Sequence, residues 1–110
     1  MKKDSAFFLL HIRDSISAIR EYTTEGRDYF MADRKTQDAV IRHFEIIGEA
    51  VKSLPPEFRI KYPELPRKSI AGLRDILIHQ YFGVDSSIVW ATIDKHLPAL
   101  EAVVNTELKP

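Results

Sequence analysis

The stretch Gly72-Leu73-Arg74-Asp75-Ile76-Leu77-Ile78-His79-Gln80-Tyr81 gathers an arginine, an aspartate, a histidine and a tyrosine. These are the groups that cleaving a phosphodiester without a metal ion requires. An imidazole titrates near neutrality and can take the proton of a 2′-hydroxyl. A guanidinium can neutralise charge growing on phosphate oxygens through a two-pronged hydrogen bond. Asp75 precedes His79 by four residues, so on a helix the two share a face. A hydrogen bond between them would orient the imidazole and favour its charged form. Arg74 and His79 are five apart, about 140° of rotation on an ideal helix, so one straight helix does not aim both at one phosphate. Either the helix distorts near His79, or a two-fold axis brings the arginine and histidine of two copies into one cleft; the dimer is the preferred arrangement. The bare residues also admit a plainer reading: an Arg–Asp surface pair, and a histidine favoured by the dipole at a helix C-terminus.

Other chemistries find no support. The chain has no Cys, which removes disulfides, thiolate metal sites and a cysteine nucleophile. It has no GxGxxG or GxxxxGK[ST] phosphate cradle and no HExxH, and none of His11, His43, His79 and His96 follows a Glu by three residues. No metal site and no cofactor are expected. The longest apolar run, Ala6 to Leu10, is far short of the ~20 residues that span a bilayer, so no membrane contact is expected and a cytoplasmic protein is the default.

The 110 residues carry 16 basic and 16 acidic side chains, with 45% hydrophobic residues, which excludes a disordered chain and allows one domain over 1–110. The charge is uneven. Residues 59–74 hold five basic groups and one acid, whereas residues 75–110 hold two basic groups and five acids. If the partner is a polyanion, the basic stretch is its surface, with Arg59, Lys61, Arg67 and Lys68 the RNA-contacting candidates. On charge alone, a solvated loop is the plainer reading.

The elements that must position these groups are helical. Phe8, Ile12, Ile16, Ile19 and Tyr22 form one stripe of a first helix, capped by Asp4 or Ser5 and stopped by Gly26. Val40, Phe44, Ile47, Val51 and Leu54 form a second, capped by Asp33 and ended by Pro55 and Pro56. Small Gly48 and Ala50 allow close packing there. Residues 55–66 hold four prolines, with room for one helical turn around Glu57 to Lys61. A third helix runs from Arg67 to Tyr81 with Ile70, Leu73 and Leu77 inward, and Gly83 ends it. Asp85 or Ser86 caps a fourth, with Val89, Ile93, Leu97, Leu100 and Val104 as its stripe and a kink at Pro98. The expected fold is an all-α, four-helix up-and-down bundle with a proline-rich connection between helices two and three. Trp90, and Tyr62 with Phe58, are read as packing residues, and Glu45 and Glu49 as solvent-facing or paired with Arg42 or Lys52.

Arg74-x-x-x-x-His79-x-Tyr81 resembles the RxxxxHxY motif of HepT-like proteins, the toxins of the HEPN superfamily. The resemblance extends over Asp33 to Arg42, Glu45 to Ala50, Tyr62 to Pro66, His79 to Asp85, Val89-Trp90 and Leu97-Pro98, so it covers nearly the whole chain in order. It implies a HEPN helical bundle acting as a homodimer, with the motif in a cleft at the interface. It implies metal-independent endoribonuclease activity on tRNA or mRNA by 2′-hydroxyl attack, leaving a 2′,3′-cyclic phosphate. Arg74 and His79 would be the catalytic pair and Asp75 the supporting polar residue. Tyr81 matches the tyrosine that a minimal nucleotidyltransferase antitoxin, the partner in a type VII-like toxin–antitoxin pair, modifies with AMP; added phosphate beside the cleft would repel RNA. Without the motif, Tyr81 reads as a ring closing the end of the bundle. The alternative function is a non-catalytic nucleotide- or substrate-binding subunit of a nucleotidyltransferase. Arg67 departs from the pattern, standing where relatives carry an aromatic residue, which alters loop packing or adds to the basic surface.

Overall fold

A computed structural model describes residues 3–63, 65, 67–79 and 85–109, with backbone alone at 3, 4, 76, 78 and 79. Among these residues the chain forms seven helices and no strand: α1 (Lys3–Tyr22), α2 (Arg27–Ala32), α3 (Arg34–Lys52), α4 (Pro56–Lys61), α5 (Arg67–His79), α6 (Ser86–Lys95) and α7 (Leu97–Glu107). The all-α expectation holds. The four expected helices are α1, α3, α5 and the α6–α7 stretch, and α4 is the turn anticipated in the proline-rich connection.

The apolar stripes explain the packing. The expected Val40, Phe44, Ile47 and Val51 of α3 and Leu54 just beyond its end are all buried, and α3 lies between α1 and α5. Ile70, Leu73 and Leu77 of α5 and Val89, Ile93, Leu97, Leu100 and Val104 of α6 and α7 join the same core. In α1 the stripe is rotated from the expected one. Leu9 is fully buried with Ile12, Ile16 and Ile19, while Phe8 is only partly buried and Tyr22 is exposed. A 3.6-residue period admits 8 or 9 equally well as the partner of 12, and packing against α3 selects Leu9.

Helix ends follow local chemistry. Asp33 accepts a hydrogen bond from the Thr36 amide at 3.1 Å, and Asp85 from the Ser87 amide at 2.9 Å, as expected of N-caps. Asp4 and Ser5 are not caps, because α1 already runs through them from Lys3. After α1 the chain turns, and Gly26 adopts φ 92°, a left-handed value that suits glycine, to enter α2. The six-residue α2 is an addition to the expected pattern. It buries only Phe30, and the Gln37 side-chain amide donates to its Phe30 and Met31 carbonyls at 2.9 and 3.1 Å. Pro98 gives a break rather than a kink. Helix α6 stops at Lys95, and α7 restarts at Leu97 with the proline in its first turn, where no amide hydrogen is missed. Trp90 packs on Phe30, and Phe58 on Tyr62, with ring centroids 5.4 and 5.1 Å apart.

One polar tie joins α4 to α7. Lys61 Nζ lies 2.7 Å from Glu107 Oε1, and the Tyr62 hydroxyl donates to the same oxygen. The Lys61 hydrogen bond, then that of Tyr62, holds the Glu107 carboxyl below its ordinary 4.5. Its contribution to stability is therefore present above 4.5 and lost as pH falls through the lower folded value. The bond to Glu107 raises Lys61 and Tyr62 above their ordinary 10.5 and 10.0. Their contribution is complete below about 10 and lost as pH rises through the folded values. We expect Glu107→Gln to lower Tm by a few degrees at neutral pH, with the gap to wild type closing at both extremes. Thermal melts across pH check this.

Candidate active site

The site begins at the α3–α5 contact. Gly48 is buried in α3, and the Arg74 side chain of α5 occupies the space a Cβ there would take: an added Cβ would lie 2.9 Å from Arg74 Cδ and 3.0 Å from Cγ. The missing side chain is thus what lets the stem of Arg74 cross α3. Beyond the crossing, two carboxylates hold the guanidinium. Arg74 Nη2 lies 2.6 Å from Glu49 Oε2, and Nη1 donates to Asp75 Oδ1 at 3.1 Å. Lys52 Nζ donates to the same Asp75 oxygen at 2.8 Å. That Lys52 bond, with the Arg74 charge adding, holds the Asp75 carboxyl below its usual range.

Arg74 faces a cleft of about 470 Å³, lined also by Phe7, Phe8, His11, Ile46 and Glu49. Its side chain is 23% exposed, whereas those of Glu49 and Asp75 are 62% and 50% exposed. A half-buried guanidinium gripped by exposed carboxylates suits anion capture. The stem is fixed by packing, and exposed ion pairs are weak enough for a phosphate to displace one carboxylate. Phe7 is 56% exposed and packs edge-on against His11 at 4.5 Å, which gives the cleft an aromatic wall. Arg42 and Glu45, an ion pair 3.6 Å apart, also line the cleft.

Arg74 and Asp75 are together. His79 is five positions beyond Arg74 on a helix that remains α-helical to its end, with a Cα about 140° around and about 7.5 Å along the axis. Its imidazole, and with it the expected Asp75–His79 hydrogen bond, lies outside the described residues, as do Tyr81 and Gly83. Arg67 is corrected. It is not a freely exposed side chain: it is buried, and Nη2 donates to the Val51 and Leu54 carbonyls at 3.0 and 3.3 Å, closing the C-terminal end of α3. Lys61 is tied to Glu107, while Arg59 and Lys68 are exposed. Glu49 pairs with Arg74 and not with Lys52; spacing along α3 could not show which neighbour of α5 it meets. His11, not singled out from the sequence as a site residue, lines the cleft. The signal was its place one turn after Phe7 on the exposed side of α1. His43 does pack: its Nδ1 is 3.1 Å from Ser15 Oγ, and burial, then the Arg42 charge, pushes its pKa down. Among the described residues no group of three or more His, Asp or Glu could hold a metal ion, and no helix is long and apolar enough to cross a membrane.

Comparison with known proteins places the chain in a family. The family description Ribonuclease HepT-like matches residues 12–107. A Methanocaldococcus jannaschii protein named as a gamma-glutamylcyclotransferase and candidate RNase is 50% identical over 102 residues; the match covers 92% of this chain but only 46% of that protein. A Thermococcus cleftensis protein named probable ribonuclease HepT is 44% identical over 102 residues, 92% of this chain and 93% of its own. A Caldanaerobacter subterraneus protein named a candidate RNase is 52% identical over 80 residues, 73% of this chain and 71% of its own. No solved structure matches the chain.

Proposed function

The chain belongs to the ribonuclease HepT-like family, and from that premise we propose that it is an endoribonuclease that cleaves RNA without a metal ion. The observation that carries the reading is Arg74, fixed by packing at Gly48 and poised by Glu49 and Asp75 at the cleft. In the proposed reaction His79 removes the 2′-hydroxyl proton. The 2′-oxygen forms a bond to phosphorus, the bond to the 5′-oxygen breaks, and that oxygen takes up a proton as it leaves. The products are a 2′,3′-cyclic phosphate and a 5′-hydroxyl. Arg74 neutralises the non-bridging oxygens as their charge grows. Because five helical positions separate Arg74 from His79, the working unit is a homodimer of single 1–110 domains, in which one copy's arginine meets the other copy's histidine. Phe7, which lines the cleft, and Leu10, one turn further along α1, are exposed and suit burial in such an interface.

Within the same reading, the protein is the cytoplasmic toxin of a toxin–antitoxin pair, and a nucleotidyltransferase partner silences it by adding AMP to Tyr81. A phosphate two residues from His79 would repel the substrate backbone. The test is incubation of the purified protein, free of AMP, with short RNAs in EDTA. We expect cleavage that persists in EDTA and leaves cyclic phosphate ends. No cleavage at any salt concentration, or cleavage only with a divalent ion, contradicts the proposal.

A further inference from the structure

We infer that a second, smaller cleft at the junction of α3, α4 and α5 is a phosphate subsite that holds a neighbouring phosphate of the RNA strand being cut at Arg74. The inference rests on the ribonuclease reading and adds to it where the rest of the strand lies. The cleft, about 170 Å³, is lined by Val51, Lys52, Arg59, Arg67, Lys68 and Ala71. Four of these six are cations, and no carboxylate lines the cleft among the described residues.

Arg67 is the unusual member. Its side chain is nine-tenths buried, yet Nη1 has no hydrogen-bond partner among the described residues. Its Nη2 is already committed to the carbonyls of α3. A buried guanidinium is costly; Nη1 itself is enclosed, so an anion in the cleft would offset the charge of the group rather than bond to Nη1. Burial, with the Arg59 charge adding, also holds the Arg67 pKa down. The two guanidinium groups repel, and an anion between them and Lys68 would relieve that repulsion. The N-terminal end of α5, which starts at Arg67, adds partial positive charge to the same place.

The two clefts share no lining residue, but both border α5. Arg67, Ala71 and Arg74 lie at steps of four and three, along one face of α5, and Arg67 precedes Arg74 by about 10 Å of axis. Lys52 bridges them, lining the smaller cleft while its Nζ shares Asp75 Oδ1 with Arg74. A strand with its scissile phosphate on Arg74 therefore continues past Lys52 toward Arg59 and Lys68. Lys61 takes no part, because Glu107 holds it against α7.

The test is fluorescence-anisotropy binding of a short single-stranded RNA to the full chain carrying His79→Ala, to prevent cleavage, across a salt series. Adding Arg59→Gln and Lys68→Gln, both exposed positions, is expected to weaken binding about tenfold and to lower the slope of log Kd against log salt by about 0.7, the value of one phosphate contact on a single strand. The same loss of charge at Arg34 and Lys35, exposed at the opposite end of α3, is expected to leave the slope unchanged. Equal effects of the two pairs, or no change from Arg59 and Lys68, overturn the subsite alone. No RNA binding by any form overturns the ribonuclease reading and the subsite together.

Discussion

Arg74→Ala is expected to lower RNA cleavage by about 10²–10³-fold, the loss typical when a charge-stabilising donor is removed from a transition state. The fold should survive. The partners left behind, Glu49 and Asp75, are more than half and half exposed and return to water, and Asp75 keeps its bond from Lys52. Arg74→Lys is expected to recover little, because an ammonium cannot reproduce the planar fork that spans Glu49 and Asp75 and would span two phosphate oxygens. His79→Ala should fall by about 10²–10⁴-fold for loss of the general base. Single-turnover cleavage of a defined RNA, together with thermal melts of each variant, separates loss of chemistry from loss of structure.

Gly48→Ala is expected to be the most damaging conservative change. In a helix interior this substitution ordinarily stabilises by about 1 kcal/mol. Here the new methyl would meet Arg74 Cδ at 2.9 Å, Cγ at 3.0 Å, and the Arg74 Cβ closer still. A Cβ is fixed to the α5 backbone and cannot rotate away, so the two helices must separate. Overpacking of this kind costs about 1–3 kcal/mol. We expect Tm to fall by several degrees and cleavage to fall with it, since Arg74 is displaced. Gly72→Ala is the internal control. Nothing lies within 4 Å of a Cβ there, and it should stabilise by up to about 1 kcal/mol. Melting curves and cleavage rates of both variants decide the matter; a stabilised Gly48→Ala enzyme with wild-type rate would show that the close approach is not needed.

These expectations differ in how much of them the sequence carried. The stripe Val40, Phe44, Ile47, Val51, Leu54 was legible because one helix buries one face, and Asp33 and Asp85 because caps act within three residues. Helix α2 was not, because six residues with one buried side chain carry no period. The α1 stripe was off by one residue because Phe8 and Leu9 are both apolar and only the neighbouring helix chooses between them. At the site, Arg74 and Asp75 were marked by residue type and spacing. Glu49, His11 and the space at Gly48 depend on which residues α5 and α1 meet, which is tertiary information. Arg67 shows the same limit in reverse. A basic residue in a basic stretch reads as surface, yet the end of α3 needed donors and Arg67 turned inward.

The most direct test of a site shared between two copies is to mix equal amounts of the inactive Arg74→Ala and His79→Ala proteins, allow the chains to exchange, and measure RNA cleavage. If guanidinium and imidazole come from different copies, each mixed dimer regains one intact pair, and activity should return to about a quarter of wild type. Mixed dimers detected by native mass spectrometry with cleavage no higher than either variant alone would contradict the shared site.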